Sequence, residues 1–268
     1  PMIWLQQNLH FQWMPPFIVG SEVANVTSRL ADALKFSGLI SLSYGAFCFL
    51  LPHTPPKRNA VEKLAFKKAF ELFKEASFTI LVVASLAVSI IHQIYFLQTG
   101  PFLSHIGILD SQIGPAMTIG QFAEIITMAY LGFFLKRLGF HKVISIGIAA
   151  YCVRYAIFGT ESFPVWVMVI SQAFHGFCYA FFFAAAYIYV DKIADEDVRH
   201  SAQTVFGIII LGGGPVIGGW LSGYLQNVYT VNGIFDYSAF WYILSMIGLA
   251  TALFFYFLFQ NQLKSNTI

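Results

Sequence analysis

The sequence predicts an all-α integral membrane fold with about seven transmembrane helices. Three observations carry that prediction. Apolar residues make up 57% of the 268 positions and charged residues only 10%, against about 45–50% and about 25% in soluble domains. The apolar residues gather into seven long runs, 35–52, 78–100, 112–135, 141–159, 164–190, 201–226 and 238–260, most of them near the ~20 residues that cross a bilayer. Lys and Arg concentrate in alternate connections between those runs. A transmembrane β-barrel would instead show ~10-residue segments of alternating polarity.

Taken in order, residues 1–34 hold Trp, Gln and a Pro-Pro pair and read as the tail of a truncated segment followed by an extracytoplasmic loop. No signal-peptide pattern opens the chain. The run 35–52 is the first span. The connection 53–77 carries Lys57, Arg58, Lys63, Lys67, Lys68 and Lys74. Within it, VEKLAFKKAFELFKEA (61–76) has apolar residues at helical spacing with Lys opposite. It suits either a helix lying on the inner leaflet or a solvated linker helix. Six further spans occupy 78–260, and 261–268 form a tail with Lys264. Lys136, Arg137 and Lys142 follow the third span, and Lys192 and Arg199 the fifth, while 101–111, 160–163 and 227–237 hold neither Lys nor Arg. Positive charge stays on the cytoplasmic side, so the C-terminus is expected inside, with Arg29 and Lys35 as minor exceptions.

Polar groups within the spans are costly and mark candidate sites. In the second span Ser85, Ser89, His92, Gln93 and Phe96 fall in one stripe at helical spacing. In the third, Thr118, Gln121 and Glu124 share a face. In the fifth, Gln172, Gly176, Tyr179 and Phe183 are expected on the pathway side, with Phe181 and Phe182 packed away from it. Three such faces suggest a wet cavity. Arg154, inside the fourth span, is read as a structural or ion-pair residue, paired with Glu124 or reaching to an interface. His92 and His175 could relay protons, with hydrogen-bonded packing as the default. In the sixth span, LGGGPVIGGWLSGYL (211–225) offers small residues for close helix approach and Pro215 as a break in the ladder; the Lys of a phosphate-binding GxxxxGK[ST] loop is absent. Cys48, Cys152 and Cys178 read as small core residues. No nucleophile elbow, HExxH pair or zinc cysteine set appears, so no enzyme, metal or cofactor is expected. A net charge of +2 gives no footprint for nucleic acid.

GFFLKRLGFHK (132–142) resembles the loop signature of the major facilitator superfamily, G-x-x-x-D-R-x-G-x-x-[KR], with Lys136 in place of the Asp. By that resemblance the spans are helices 6–12 of twelve. Residues 35–52 are then the last helix of the N-terminal half, 53–77 the cytoplasmic link between halves and 78–260 the C-terminal six-helix half. From about Leu34 to Phe259 the chain is similar to bacterial nucleoside–proton symporters. The pieces that carry this are LPHTP (51–55), QFAE (121–124), the Arg154 segment, HGFCYAFFF…YVDK (175–192), RHSAQ (199–203) and VNGIFDY (231–237). The resemblance implies that Gln93 contacts the nucleoside and that Gln121 and Glu124 bond its ribose and base. It puts Tyr179 where a ring stacks on the base, Phe96 where a relative has Asn, and Ala180 where the family pattern has Asp. Phe183, on the same helical stripe as Tyr179, completes the candidate substrate-binding set, and Glu124 is the proton-coupling candidate in place of the absent Asp.

The expected function is therefore proton-coupled nucleoside uptake by alternating access in the bacterial cytoplasmic (inner) membrane. Its partners would be a nucleoside-like small molecule, protons and the lipid bilayer. Two alternatives remain open at this point: an uncoupled facilitator, or a permease for a sugar or other metabolite, on the same fold; and a non-transporting membrane sensor or scaffold.

Overall fold

The computed structural model describes residues 26–53, 70–196 and 198–260, with side-chain surroundings from residue 34 onward. The opening segment, residues 54–69 of the basic connection with most of its expected amphipathic helix, and the tail 261–268 lie outside the described residues; the end of that expected helix, Leu72–Lys74, is a 3₁₀ turn closed by an extended Glu75.

The chain divides into two units, residues 1–59 with 109–115, and residues 60–108 with 116–268. In the first, α1 (Val26–Cys48) is a single helix that ends in a turn through Leu51. Its described side chains are mostly exposed, Cys48 among them, which corrects the expectation of a core cysteine there.

The second unit is a helical bundle. Its elements are α2 (Ala76–His105), α3 (Asp110–Gly159, from residue 116), α4 (Val165–Ile193), α5 (Arg199–Val228) and α6 (Tyr237–Leu258). These five helices are long and apolar enough to cross a membrane. They account for six of the seven expected spans, because α3 contains two. The remaining expected span, 35–52, falls largely on α1, which is not among the five and carries Arg29, Asp32 and Lys35 in its first half.

Gly139 divides α3. Its backbone sits at φ 75°, ψ 167°, a region open to glycine and strained for residues with a Cβ. The chain therefore reverses at the glycine of the GFFLKRLGFHK loop without a longer connection.

The core is built on α2, whose Phe78, Leu81, Val88, Ile91, Ile94, Tyr95 and Phe102 are buried. At one end Phe102, Phe158 and Trp241 form an aromatic cluster, with Trp241 5.5 Å from Phe102 and 5.0 Å from Phe158 between ring centroids. Close approach elsewhere depends on missing side chains. A Cβ on Gly218 of α5 would lie 2.8 Å from the Ile90 carbonyl oxygen of α2, and one on Gly176 of α4 would lie 2.5 Å from Ala123 of α3. Small residues in LGGGPVIGGWLSGYL thus do what their density suggested. Polar side chains add cross-helix bonds: the Gln98 amide donates to Ser222 (3.0 Å), and Ser245 donates to the Cys152 carbonyl (2.8 Å).

Two local features depart from uniform α-helix. Residues Phe177–Ala184 of α4 and Ile208–Gly213 of α5 are π-helical, a geometry that is rare and concentrated at functional sites. Between α5 and α6, Thr230–Val231 and Ile234–Phe235 pair as a two-residue antiparallel hairpin. Asn232 and Gly233 form its turn with φ 53° and 80°, the Asn-Gly chemistry of a tight hairpin. Asp236 then caps α6 by accepting from the Ala239 amide at 2.9 Å. This short ribbon was not anticipated in a run read only as a loop; two residues per strand leave no periodicity to detect.

Candidate functional site

A cavity of about 410 Å³ opens among α2, α3, α4 and α5. Ser89, His92, Gln93 and Phe96 line it from α2, Met128 from α3, Tyr179, Phe183, Ala184 and Tyr187 from α4, and Ile210, Leu211 and Pro215 from α5. Both π-helical stretches contribute to the wall. The wider turn leaves carbonyl oxygens partly free of the α-helical ladder. The Ser89 hydroxyl takes one of them, donating to the Ile210 carbonyl, so α2 clasps α5 where its backbone is irregular.

The rings at the cavity form a connected group. His92 meets Phe96 edge-on at 4.9 Å and Phe183 at 5.1 Å, and Tyr179 lies 5.6 Å from Phe183. The Tyr151 hydroxyl and His92 Nδ1 share a hydrogen bond of 2.8 Å. Amphipathic rings beside one amide, Gln93, suit a planar solute with polar edges.

Behind this wall lies a buried polar chain. Arg154 is fully buried. Its guanidinium covers the Tyr95 ring at 3.8 Å, a cation–π contact worth most when desolvated. It donates to Gln172 Oε1, which also accepts from the Tyr95 hydroxyl at 3.0 Å. A second guanidinium nitrogen lies 3.3 Å from His175 Nδ1. His175 Nε2 in turn lies 3.8 Å from Glu124 Oε2. Arg154 therefore does not touch Glu124 and does not reach an interface: the imidazole stands between the two charges. Two side-chain nitrogens in this chain, Arg154 Nε and Gln172 Nε2, are buried without a hydrogen-bond partner.

The structure thus brings Gln93, Phe96, Tyr179 and Phe183 together at the cavity, and links Glu124 to it through His175 and His92. Gln121 is exposed on α3, outside the cavity wall. Gln172 and Gly176 do not face the pathway as their helical spacing suggested. Gln172 is consumed by Arg154 and Tyr95, and Gly176 is the contact with α3. Ala180 is buried, and Phe181 and Phe182 pack inward, their backbone beside Gly147. Sequence reasoning missed Tyr95, Tyr151, Met128 and Tyr187, whose apolar surroundings hid them. A hydroxyl-bearing ring one helical turn from a His or Gln is the signal that could have found the first. Near the chain reversal between α4 and α5, Asp191 accepts from Gln203 (3.1 Å) and pairs with Arg199 (3.7 Å). That contact joins the YVDK and RHSAQ pieces.

A family model for the nucleoside H+ symporter matches residues 14–264. The chain belongs to the nucleoside H+ symporter family. Among its relatives, the putative nucleoside transporter YegT of Escherichia coli (strain K12) is 28% identical, over 97% of this chain and 63% of its own length. The nucleoside permease NupG of the same organism is also 28% identical, over 81% of this chain and 55% of its own length. The chain spans less than two thirds of both. Among solved structures, an Asp-to-Ala variant of nucleoside transporter NupG superposes with a TM-score of 0.73 at 28% identity. That superposition covers 87% of this chain and 60% of the other. The fold is accordingly that of an all-α, multi-pass membrane transporter of the major facilitator type. The family's relatives are named as transporters and permeases.

Proposed function

We propose that this chain is the C-terminal part, helices 6–12 of twelve, of a secondary active transporter. It carries nucleosides with protons into a bacterial cell by alternating access, and no chemical step on a substrate is assigned to it. The observation that carries the reading is the cavity's mixed lining, with the Gln93 amide set among His92, Tyr179 and Phe183. Rings of this kind stack on a nucleobase, and an amide pairs with its edge or with a sugar hydroxyl. The reading assigns nucleoside contacts to Gln93, Phe96, Tyr179 and Phe183 in the cavity wall and to Gln121 and Glu124 on the face of α3 outside that wall, the coupling proton to Glu124, and a structural role to Arg154. A carboxylate beside a buried polar chain is a group that can exchange a proton between two sides.

The membrane would be the cytoplasmic one, with the C-terminus inside. Lys136, Arg137 and Lys142 flank the Gly139 reversal and Lys192 and Arg199 flank the next connection on that side, whereas 160–163 and 227–237 carry no Lys or Arg; this asymmetry is what sets orientation. In the same reading, residues 35–52 end one half and 53–77 lead into the other, 78–260. A second reading, an uncoupled facilitator, is favoured by one observation: Ala180, where the family pattern has Asp, is buried and brings no carboxylate to the pathway.

Labelled-uridine uptake by proteoliposomes holding the natural full-length protein tests both. Coupled transport gives accumulation above equilibration only with an inward proton gradient. Equal, saturable uptake with and without the gradient identifies a facilitator. Absence of saturable uptake rules out the nucleoside reading.

A further inference from the structure

We infer that His175 is a neutral positioning bridge, which accepts a hydrogen bond from the buried Arg154 guanidinium and presents its opposite N–H to the Glu124 carboxylate. The inference rests on the reading of Glu124 as the substrate and coupling group, and adds what holds that group in place.

The tautomer follows from the donor inventory. A guanidinium has five N–H donors and no acceptor. His175 Nδ1, 3.3 Å from an Arg154 nitrogen, must therefore supply the lone pair, and the ring hydrogen sits on Nε2. That nitrogen lies 3.8 Å from Glu124 Oε2, an electrostatic contact longer than a hydrogen bond. A doubly protonated ring would set N–H against N–H, and one positive charge against another, at the Arg154 side. The ring is confined in this orientation. It stacks on His92 with centroids 5.5 Å apart and planes 11° apart, and it packs against Tyr95, Phe96 and Tyr179. Arg154 is in turn fixed over Tyr95 and by Gln172. The titratable or charged groups around the imidazole are thus Arg154 and Glu124 from α3, His92 and Tyr95 from α2, and Tyr179 from α4 itself. Closeness is built into the backbone: a Cβ on Gly120 would lie 3.0 Å from His175 Cβ.

Two consequences follow. The proton that accompanies substrate resides on Glu124, not on the imidazole. Arg154 acts on that carboxylate through one ring rather than by a direct ion pair, so Glu124 keeps its exposed edge for substrate while its other side faces the imidazole. With a side-chain exposure of 22% against 3% for His175, Glu124 is the reachable end of the chain.

The test has two arms on the full-length protein in liposomes. ¹⁵N-histidine NMR, with the His175 signals identified by their loss in His175→Gln, should show one protonated and one unprotonated ring nitrogen, the hydrogen on Nε2, throughout about pH 5–8. An imidazolium in that range, or hydrogen on Nδ1, overturns the bridge. In gradient-driven uridine accumulation, His175→Gln, whose amide supplies both an acceptor and a donor, should rescue coupling. His175→Leu should lose roughly tenfold, the scale of leaving buried polar partners unmatched. Loss in both variants, with uridine counterflow at equal pH intact, means the ring itself carries the proton. Retention in both means it only packs; either result overturns the bridge. Failure of the unsubstituted protein to move uridine would break the nucleoside reading instead, and the NMR arm would still decide the bridge.

Discussion

The two halves of α3 have similar composition and opposite surroundings. Before Gly139, Phe122, Ile125, Ile126, Tyr130 and Phe133 are exposed; after it, Val143, Ile144, Ile148, Tyr151, Tyr155 and Phe158 are buried. Each half carries one charge toward His175. Glu124 sits on the open half and keeps an accessible edge. Arg154 sits on the packed half and has no exposure at all. The difference shows how one helical hairpin can hold a cation rigidly and leave an anion reachable. Burial among fixed partners suits a residue that positions others, while a half-open face suits one that must meet solutes and protons.

The largest expected effect comes from emptying the packed half. Arg154→Ala should cost about 3 kcal/mol or more of stability in denaturant unfolding of the detergent-solubilised protein. It removes a large buried side chain and strands Gln172 and His175. Tolerance of the change within ~0.5 kcal/mol would mean that the two halves do not differ as described. Next is the joint itself. Gly139→Ala forces a Cβ residue into a region that costs about 1–3 kcal/mol, and thermal unfolding should register it as a lower midpoint. At the cavity, Tyr179→Ala should raise the apparent KM for uridine by about tenfold, within the ~1–3 kcal/mol of a base–aromatic stack, with little change in stability because Tyr179 is part-exposed. The smallest effect belongs to the open half: Ile125→Leu should shift stability by under ~0.5 kcal/mol. A large loss there would reveal packing that the exposure of Ile125 does not suggest.

Much of this architecture was legible in the residues. Six spans appear as apolar runs because lipid selects for them, and Gly139 stood within a recognisable loop signature. Gln93, Tyr179 and Phe183 were found because polar and aromatic residues at helical spacing share a face. The same spacing failed for Gln172 and Gly176. A 3.6-residue period extended across α4 breaks where the helix turns at 172–173 and then widens over Phe177–Ala184, so residues one nominal stripe apart end on different sides. The bridge from Arg154 through His175 to Glu124 was hidden for another reason. It joins residues 21 and more positions apart on two helices, and only packing sets which of several polar groups meet. The two-residue hairpin at Asn232–Gly233 was too short to carry a strand pattern, though its turn residues were in plain view.

In the proposed mechanism nucleoside and proton cross together, with the proton carried on Glu124. Uridine-induced proton entry into proteoliposomes, followed with an internal pH-sensitive dye, tests it most directly. Co-transport on Glu124 should acidify the interior when uridine is added to the full-length protein, and should give no acidification with Glu124→Gln, which keeps the side chain's shape and cannot ionise. Acidification that persists unchanged in Glu124→Gln would contradict it.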